Sequence, residues 1–162
     1  MSNSLTLLTF LRGQEEVNQS FFTLCLQLSQ VYEVHPIIIT ESDCSYDNAE
    51  IITVSPSTKY EKITHVLPKL NSEYVVCIDA DLTILVENTI EMINRAIGKQ
   101  LDLAWGKITI SEIQNAITHL VFLDKHLSHN LIRPSLWACR VGVSIPGQLF
   151  LFKLDTMKGS FL

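Results

Sequence analysis

The chain has no Cys-x-x-Cys pair, and its four cysteines, Cys25, Cys44, Cys77 and Cys139, are scattered over 162 residues. That spacing excludes a zinc ribbon and gives no disulfide framework. Three of the four have apolar neighbours, which fits reduced, packed thiols and a cytoplasmic protein. Positive charge is also scarce: 12 Lys and Arg face 17 Asp and Glu, a formal net charge of −5. A surface that tracks nucleic-acid phosphates needs clustered cations, so nucleic acid is not an expected partner. No apolar run approaches the ~20 residues of a membrane span. The opening MSNSLTLLTFLRG has no basic segment ahead of its apolar stretch and does not read as a secretory signal. Repeats, low-complexity tracts and linkers are lacking too. One domain over residues 1–162 is expected, long enough to bury a sizeable core.

What is present is an alternation of two hydrophobic periods. Residues 5–10 read as a strand. From Gln14 the apolar positions Val17, Phe21, Leu24, Cys25, Leu28 and Val31 recur at helical spacing. Strands are predicted over 34–40, 51–54 and 73–79, and between the last two a helix starts near Thr58 with Glu61 completing a capping box. A helix over 87–97 should stop at Gly98. A strand over 101–110 carries Trp105-Gly106, and Ser111 with Gln114 suggests a second capping box. Ile113, Ala116, Ile117, Leu120 and Val121 then supply one apolar helix face. Past Pro134 the chain reads as β over 136–143 and 147–153. Strands that are apolar throughout and alternate with helices predict an α/β fold, a mostly parallel sheet covered on both faces. Ligands of such sheets bind beyond the carboxyl ends of the strands.

At one of those ends stands Asp79-Ala80-Asp81. Side chains two apart in an extended segment share a side, so the two carboxylates converge if the strand continues past its end. Converging carboxylates repel unless a cation or donors lie between them. A hard divalent ion, Mg²⁺ or Mn²⁺, is the natural guest, with phosphate oxygens completing its shell. The plain alternative is a strand end with two solvated acids opening a turn. His119, His126 and His129 have no acidic or cysteine partner at ligand spacing and read as surface or cap histidines. Cys139 beside Arg140 reads as an ordinary buried thiol, and Arg133-Pro134 as a solvated loop. Trp105 serves equally as core packing or as a sugar-facing wall.

Asp79-Ala80-Asp81-Leu82-Thr83 after an apolar strand resembles the nucleophile loop of haloacid-dehalogenase-like phosphatases. That family carries the loop on its first strand and needs a later acidic pair, and no Asp-Asp or Asp-x-x-x-Asp follows Thr83. A longer series of matches resembles the nucleotide-binding half of family 2 glycosyltransferases, which have the Rossmann-like GT-A fold. Gln14-Glu15 stands where that family has Asn-Glu, and Ser42-Asp43-Cys44-Ser45-Tyr46-Asp47 where it has a loop rich in aspartate. Thr58-Lys59 opens the next helix, 20 residues ahead of Asp79. Ala104-Trp105-Gly106-Lys107-Ile108 looks like its later strand, and the segment from Pro146 through Gly147 and Gln148 to Lys153 like its acceptor-side segment.

The resemblance implies a metal-dependent, inverting transfer of sugar from a nucleotide-sugar donor to a saccharide or lipid-linked acceptor, as in polysaccharide biosynthesis. It places Thr9, Glu15, Asp43, Lys59 and Asp79 at the nucleotide, and Asp79 and Asp81 on a Mn²⁺ or Mg²⁺ ion. Trp105, Gly147 and Gln148 fall on the acceptor side. Gly159-Ser160-Phe161 looks like the turn ahead of the family's acidic base, so the C-terminal acceptor part is expected to be missing. Asp155 is then the first candidate for a base within the chain. Apolar surface near residues 149–152 and Phe161, left uncovered, would favour a homo-oligomer. A remnant that binds nucleotide-sugar without turnover stays open beside the phosphatase reading.

Overall fold

The computed structural model describes residues 3–13, 15–107, 115–139 and 147–161. They pack as two compact units, one formed by Met1–Trp105 with Gly147–Leu162 and the other by Gly106–Pro146.

The first unit is a six-stranded sheet in the order β3-β2-β1-β4-β6-β5. Its strands are β1 (Ser4–Phe10), β2 (Glu33–Thr40), β3 (Glu50–Thr53), β4 (Tyr74–Asp79), β5 (Leu103–Trp105) and β6 (Leu149–Lys153). β3, β2, β1 and β4 pair in parallel, and β6 runs antiparallel between β4 and β5. Helices α1 (Gln19–Leu28) and α3 (Val86–Gly98) bury Phe21, Leu24, Leu28, Ile93 and Ala96 against Leu5, Leu7, Val76 and Ile78. Helix α2 (Lys59–Val66), the following turn Leu67–Lys69 and α6 (Leu154–Phe161) cover the other face, where Val66, Leu67, Leu70 and Leu154 meet Leu8, Phe10, Ile39, Val75 and Cys77. Strand alternation sorts the site from this point on. Asp79 follows Val75 and Cys77 on the α2 face, and Thr9 follows Leu5 and Leu7 on the α1 face.

The expected α/β architecture is therefore the one observed, and most differences lie at element ends. Helix α1 begins at Gln19, because the Asn18 side chain caps it by accepting the Ser20 N–H at 3.0 Å. Val17 is buried ahead of it, and Val31 is exposed in the turn beyond. Gly98 is the last residue of α3, and the left-handed position falls two residues later at Gln100, φ 51°. The Thr58–Glu61 capping box is present as expected. Residues 149–152, expected to be uncovered, form the interior of β6, with Leu151 and Phe152 fully buried between two neighbouring strands. Residues 159–161 continue α6 where a turn was expected. Cys25 and Cys77 are buried thiols, each pushed up to about 12 chiefly by burial.

In the second unit α4 (Ala116–Leu127) passes through a wider turn, Ser128–Ile132, into α5 (Arg133–Ala138). The β reading from residue 136 thus gives way to helix up to Ala138. Pro134 sits at the second position of α5, directly after the wide turn, and has no N–H to extend the helix ladder back across it. Asn115 with Thr118 forms the capping box of α4. The apolar face expected on this helix is not buried: Ile117, Leu120 and Val121 are exposed. Cys139, expected in the core, is exposed and free. His126 stacks on Phe122 at 5.8 Å, and His129 is held below the usual imidazole range by burial, then by Arg133, Lys125 and Lys107. The Ser111–Gln114 pattern, Ile113, residues 108–110, Arg140 and residues 141–143 lie outside the described residues. Among the described residues no helix is long and apolar enough to cross a membrane.

Candidate functional site

Strand order reverses between β1 and β4: β2 and β3 lie to one side of β1, and β4 to the other. A crevice opens at the carboxyl ends of two such strands because their following connections diverge. Here those ends are Phe10 and Asp79, which are register partners.

Lys59 enters this crevice from the first turn of α2, fixed by the capping box in which the Thr58 N–H donates to Glu61 at 2.7 Å. Its ammonium donates to the Asp79 carboxylate and to the Gly147 carbonyl. It also lies 4.9 Å from the Phe10 ring centroid and 5.5 Å from that of Phe150. The Asp79 N–H donates to the Gln148 carbonyl at 2.8 Å, where β6 enters the sheet. Of the two residues read from the sequence as acceptor-side, Gln148 thus bonds Asp79 directly, and Gly147 is linked to it through the Lys59 ammonium.

The strand does not continue through Asp81. The Leu82 N–H donates back to the Asp79 carbonyl at 3.2 Å, closing a turn over buried Ala80 and exposed Asp81. Both acids nevertheless line one small cavity of about 160 Å³, together with Arg12, Glu15, Lys59 and Lys62. Among the described residues no cluster of three His, Cys, Asp or Glu side chains could enclose a metal. Mg²⁺ and Mn²⁺ do not need one, since they are commonly held by one or two carboxylates plus water and phosphate oxygens. The two hard donors present fit such an ion, with the Lys59 ammonium balancing Asp79.

A larger cavity of about 1010 Å³ lies between the segment after β1 and the loop after β2. Glu15 borders it as well, with Val17, Phe22, Asp43, Cys44 and Tyr46. The chain turns there at Gly13, whose φ of 58° favours glycine. The Glu15 carboxylate accepts the Arg12 N–H at 2.8 Å, and Ser42 Oγ donates to the Gly13 carbonyl at 2.9 Å. Phe22 and Tyr46 rings lie 5.7 Å apart at 32°, and the Tyr46 hydroxyl accepts the Val17 N–H at 3.3 Å.

The two cavities gather Glu15, Asp43, Lys59, Asp79 and Asp81. Thr9 lines neither, being fully buried on the α1 face with no hydrogen-bond partner for its hydroxyl among the described residues. Trp105 is half-buried on β5, two strands and about 10 Å from β4. Gln14 and Pro146 lie outside the described residues. Asp155 follows Lys153, the register partner of Tyr74, at the far end of β4 and about 17 Å along the strand from Asp79. It cannot serve as a base at this crevice. Sequence reasoning passed over Arg12 and Lys62. For Lys62 there was a signal: it sits four residues before Val66 on the buried stripe of α2. Its ammonium pairs with Glu41 at 2.6 Å, and this bond is the main cause that holds the Glu41 carboxyl below its ordinary range.

No protein-family model matches the chain, and no curated protein matches it in sequence. Solved structures do share its fold. Glucosyl-3-phosphoglycerate synthase from Mycobacterium tuberculosis, in complex with Mn²⁺, uridine diphosphate and glucosyl-3-phosphoglycerate, superposes with a TM-score of 0.59 at 15% identity, over 94% of this chain and 57% of that one. The same enzyme with Mn²⁺, UDP-glucose and phosphoglyceric acid gives 0.57 at 15% identity, again over 94% and 57%. The bifunctional IspDF from Campylobacter jejuni gives 0.55 at 11% identity, over 98% of this chain and 43% of that one. At these identities the likeness establishes the α/β, GT-A-like fold. The chain spans about half the length of these proteins.

Proposed function

We propose that the chain carries the donor-binding unit of a glycosyltransferase, which holds a nucleotide-sugar through a divalent cation at Asp79 and Asp81. The observation that carries this reading is the placement of Asp79-Ala80-Asp81 at the β1/β4 crevice, with a cavity large enough to admit a nucleoside beside it. The Mn²⁺ and UDP complexes of a protein with this fold support it.

Each residue then has a physical task. Phe22 and Tyr46 offer ring surface to a base or ribose, and Asp43 offers an acceptor. Arg12 and Lys59 bring positive charge to the diphosphate, with Glu15 holding the Arg12 loop in place. Asp79 and Asp81 hold the cation, which when bound offsets the charge that builds on the departing nucleoside diphosphate. Gln148 brings the acceptor side against Asp79 through its carbonyl, and Gly147 does so against Lys59. The acceptor is a saccharide or lipid-linked hydroxyl, attacked with inversion, and no base is assigned.

Asp79 as a phosphatase nucleophile is the reading to exclude. Incubation with Mg²⁺ and beryllium fluoride, read by ¹⁹F NMR on the intact folded protein, should show no bound beryllofluoride at Asp79. A panel of nucleotide-sugars should release nucleoside diphosphate only with Mn²⁺ or Mg²⁺. An aspartyl adduct on Asp79, or brisk aryl-phosphate hydrolysis lost in Asp79→Asn, overturns the proposal.

A further inference from the structure

Lys62 is the fully enclosed cation of the sheet unit, with 1% of its side chain exposed. A buried ammonium is costly unless paired, and its pairing here is specific. It donates to Glu41 Oε1 at 2.6 Å and to the Leu11 carbonyl at 3.3 Å. Leu11 is the first residue after β1 and Glu41 the first after β2. The same Glu41 oxygen accepts the Ser57 N–H at 3.4 Å, just ahead of the α2 cap. One ammonium therefore ties together the exits of β1 and β2 and the entry of α2. Those exits lead directly into the two walls of the larger cavity, near Gly13 and Glu15 on one side and residues 42–48 on the other.

We propose that Lys62, through Glu41 and the Leu11 carbonyl, is a positioning residue that sets the spacing of the two cavity walls and so the fit of the nucleoside diphosphate. Its functional consequence rests on the nucleotide reading above, and its structural content does not. A lysine that merely filled space on α2 would be replaceable by methionine, which has a similar stem. A lysine that sets the spacing would not, because methionine lacks the donors that join the two exits.

The test compares wild type, Lys62→Met, Glu41→Gln and the double variant Lys62→Met/Glu41→Met. Native-state hydrogen exchange reads the walls directly. In Lys62→Met, amides in residues 11–13 and 41–48 should exchange about tenfold faster while those of β4 do not change. Glu41→Gln keeps an acceptor for Lys62 but removes its countercharge, so it should lower thermal stability while loosening the same segments less than Lys62→Met; the double variant covers the case where Lys62→Met does not fold. In the double variant no charge is left unpaired, so thermal stability should return while the walls stay unprotected. UDP affinity with Mn²⁺ should fall about tenfold in both Lys62→Met and the double variant. Unchanged exchange in the walls, or recovery of protection and affinity along with stability in the double variant, overturns the inference. If wild type binds no nucleoside diphosphate, the nucleotide reading falls, and the exchange data still decide the role of Lys62.

Discussion

The two cavities at the carboxyl end of the sheet differ in kind. The smaller one, about 160 Å³, is lined by Arg12 and Lys59 together with Glu15, Asp79 and Asp81, and by Lys62, whose ammonium is committed to Glu41. The larger one, about 1010 Å³, is walled by Phe22, Tyr46, Asp43 and short polar side chains. Electrostatic attraction at close range suits a compact, highly charged group, and ring surface with scattered acceptors suits a nucleoside. Glu15 borders both, so the arrangement matches a ligand whose charged and aromatic ends are joined. The comparison teaches that affinity from one cavity should depend on a cation and affinity from the other should not.

The largest effect should come from the small cavity. Asp81→Ala should remove the Mn²⁺-dependent part of UDP binding, a loss of about a hundredfold by titration, and leave the metal-independent part intact. Equal loss with and without Mn²⁺ would merge the two cavities into one. Phe22→Ala probes the other side. It should weaken UDP binding about tenfold whether or not Mn²⁺ is present, since it removes the ring that lies 5.7 Å from Tyr46 in the cavity wall. The smallest effect belongs to Lys59→Met. Its ammonium and a divalent ion compete for Asp79, so Mn²⁺ alone should bind about fivefold tighter to the variant, in line with the modest worth of a part-exposed ion pair. Weaker Mn²⁺ binding would show that Lys59 orients Asp79 and does not compete.

The two cavities were also unequally legible in the sequence. Asp79 and Asp81 stood out because an apolar strand ends on them, and strand periodicity depends on local sequence alone. The Thr58 capping box put Lys59 at a helix start for the same local reason. Lys62 did not stand out, because its role depends on Glu41 and Leu11, which are brought to it by the sheet and not by sequence spacing. The family resemblance put Thr9 at the nucleotide, but the pleat turns it to the α1 face and into the core. Asp155 was the first candidate for a base within the chain, yet the antiparallel course of β6 carries it to the opposite end of the sheet. The second unit was the least legible. The pattern Ile117, Leu120, Val121 marked a helix correctly, but periodicity reports which side chains share a face and not what covers them.

The central claim is that the β1/β4 crevice binds a nucleoside diphosphate through a divalent cation. Isothermal titration of the full chain with UDP, in Mn²⁺ and again after its removal by chelation, tests it most directly, with GDP as the base-specificity control. A single site is expected, with an affinity that rises about a hundredfold with Mn²⁺ and a gain that vanishes in Asp81→Asn. Binding that is the same with and without the metal, or no binding of either nucleotide, would contradict it.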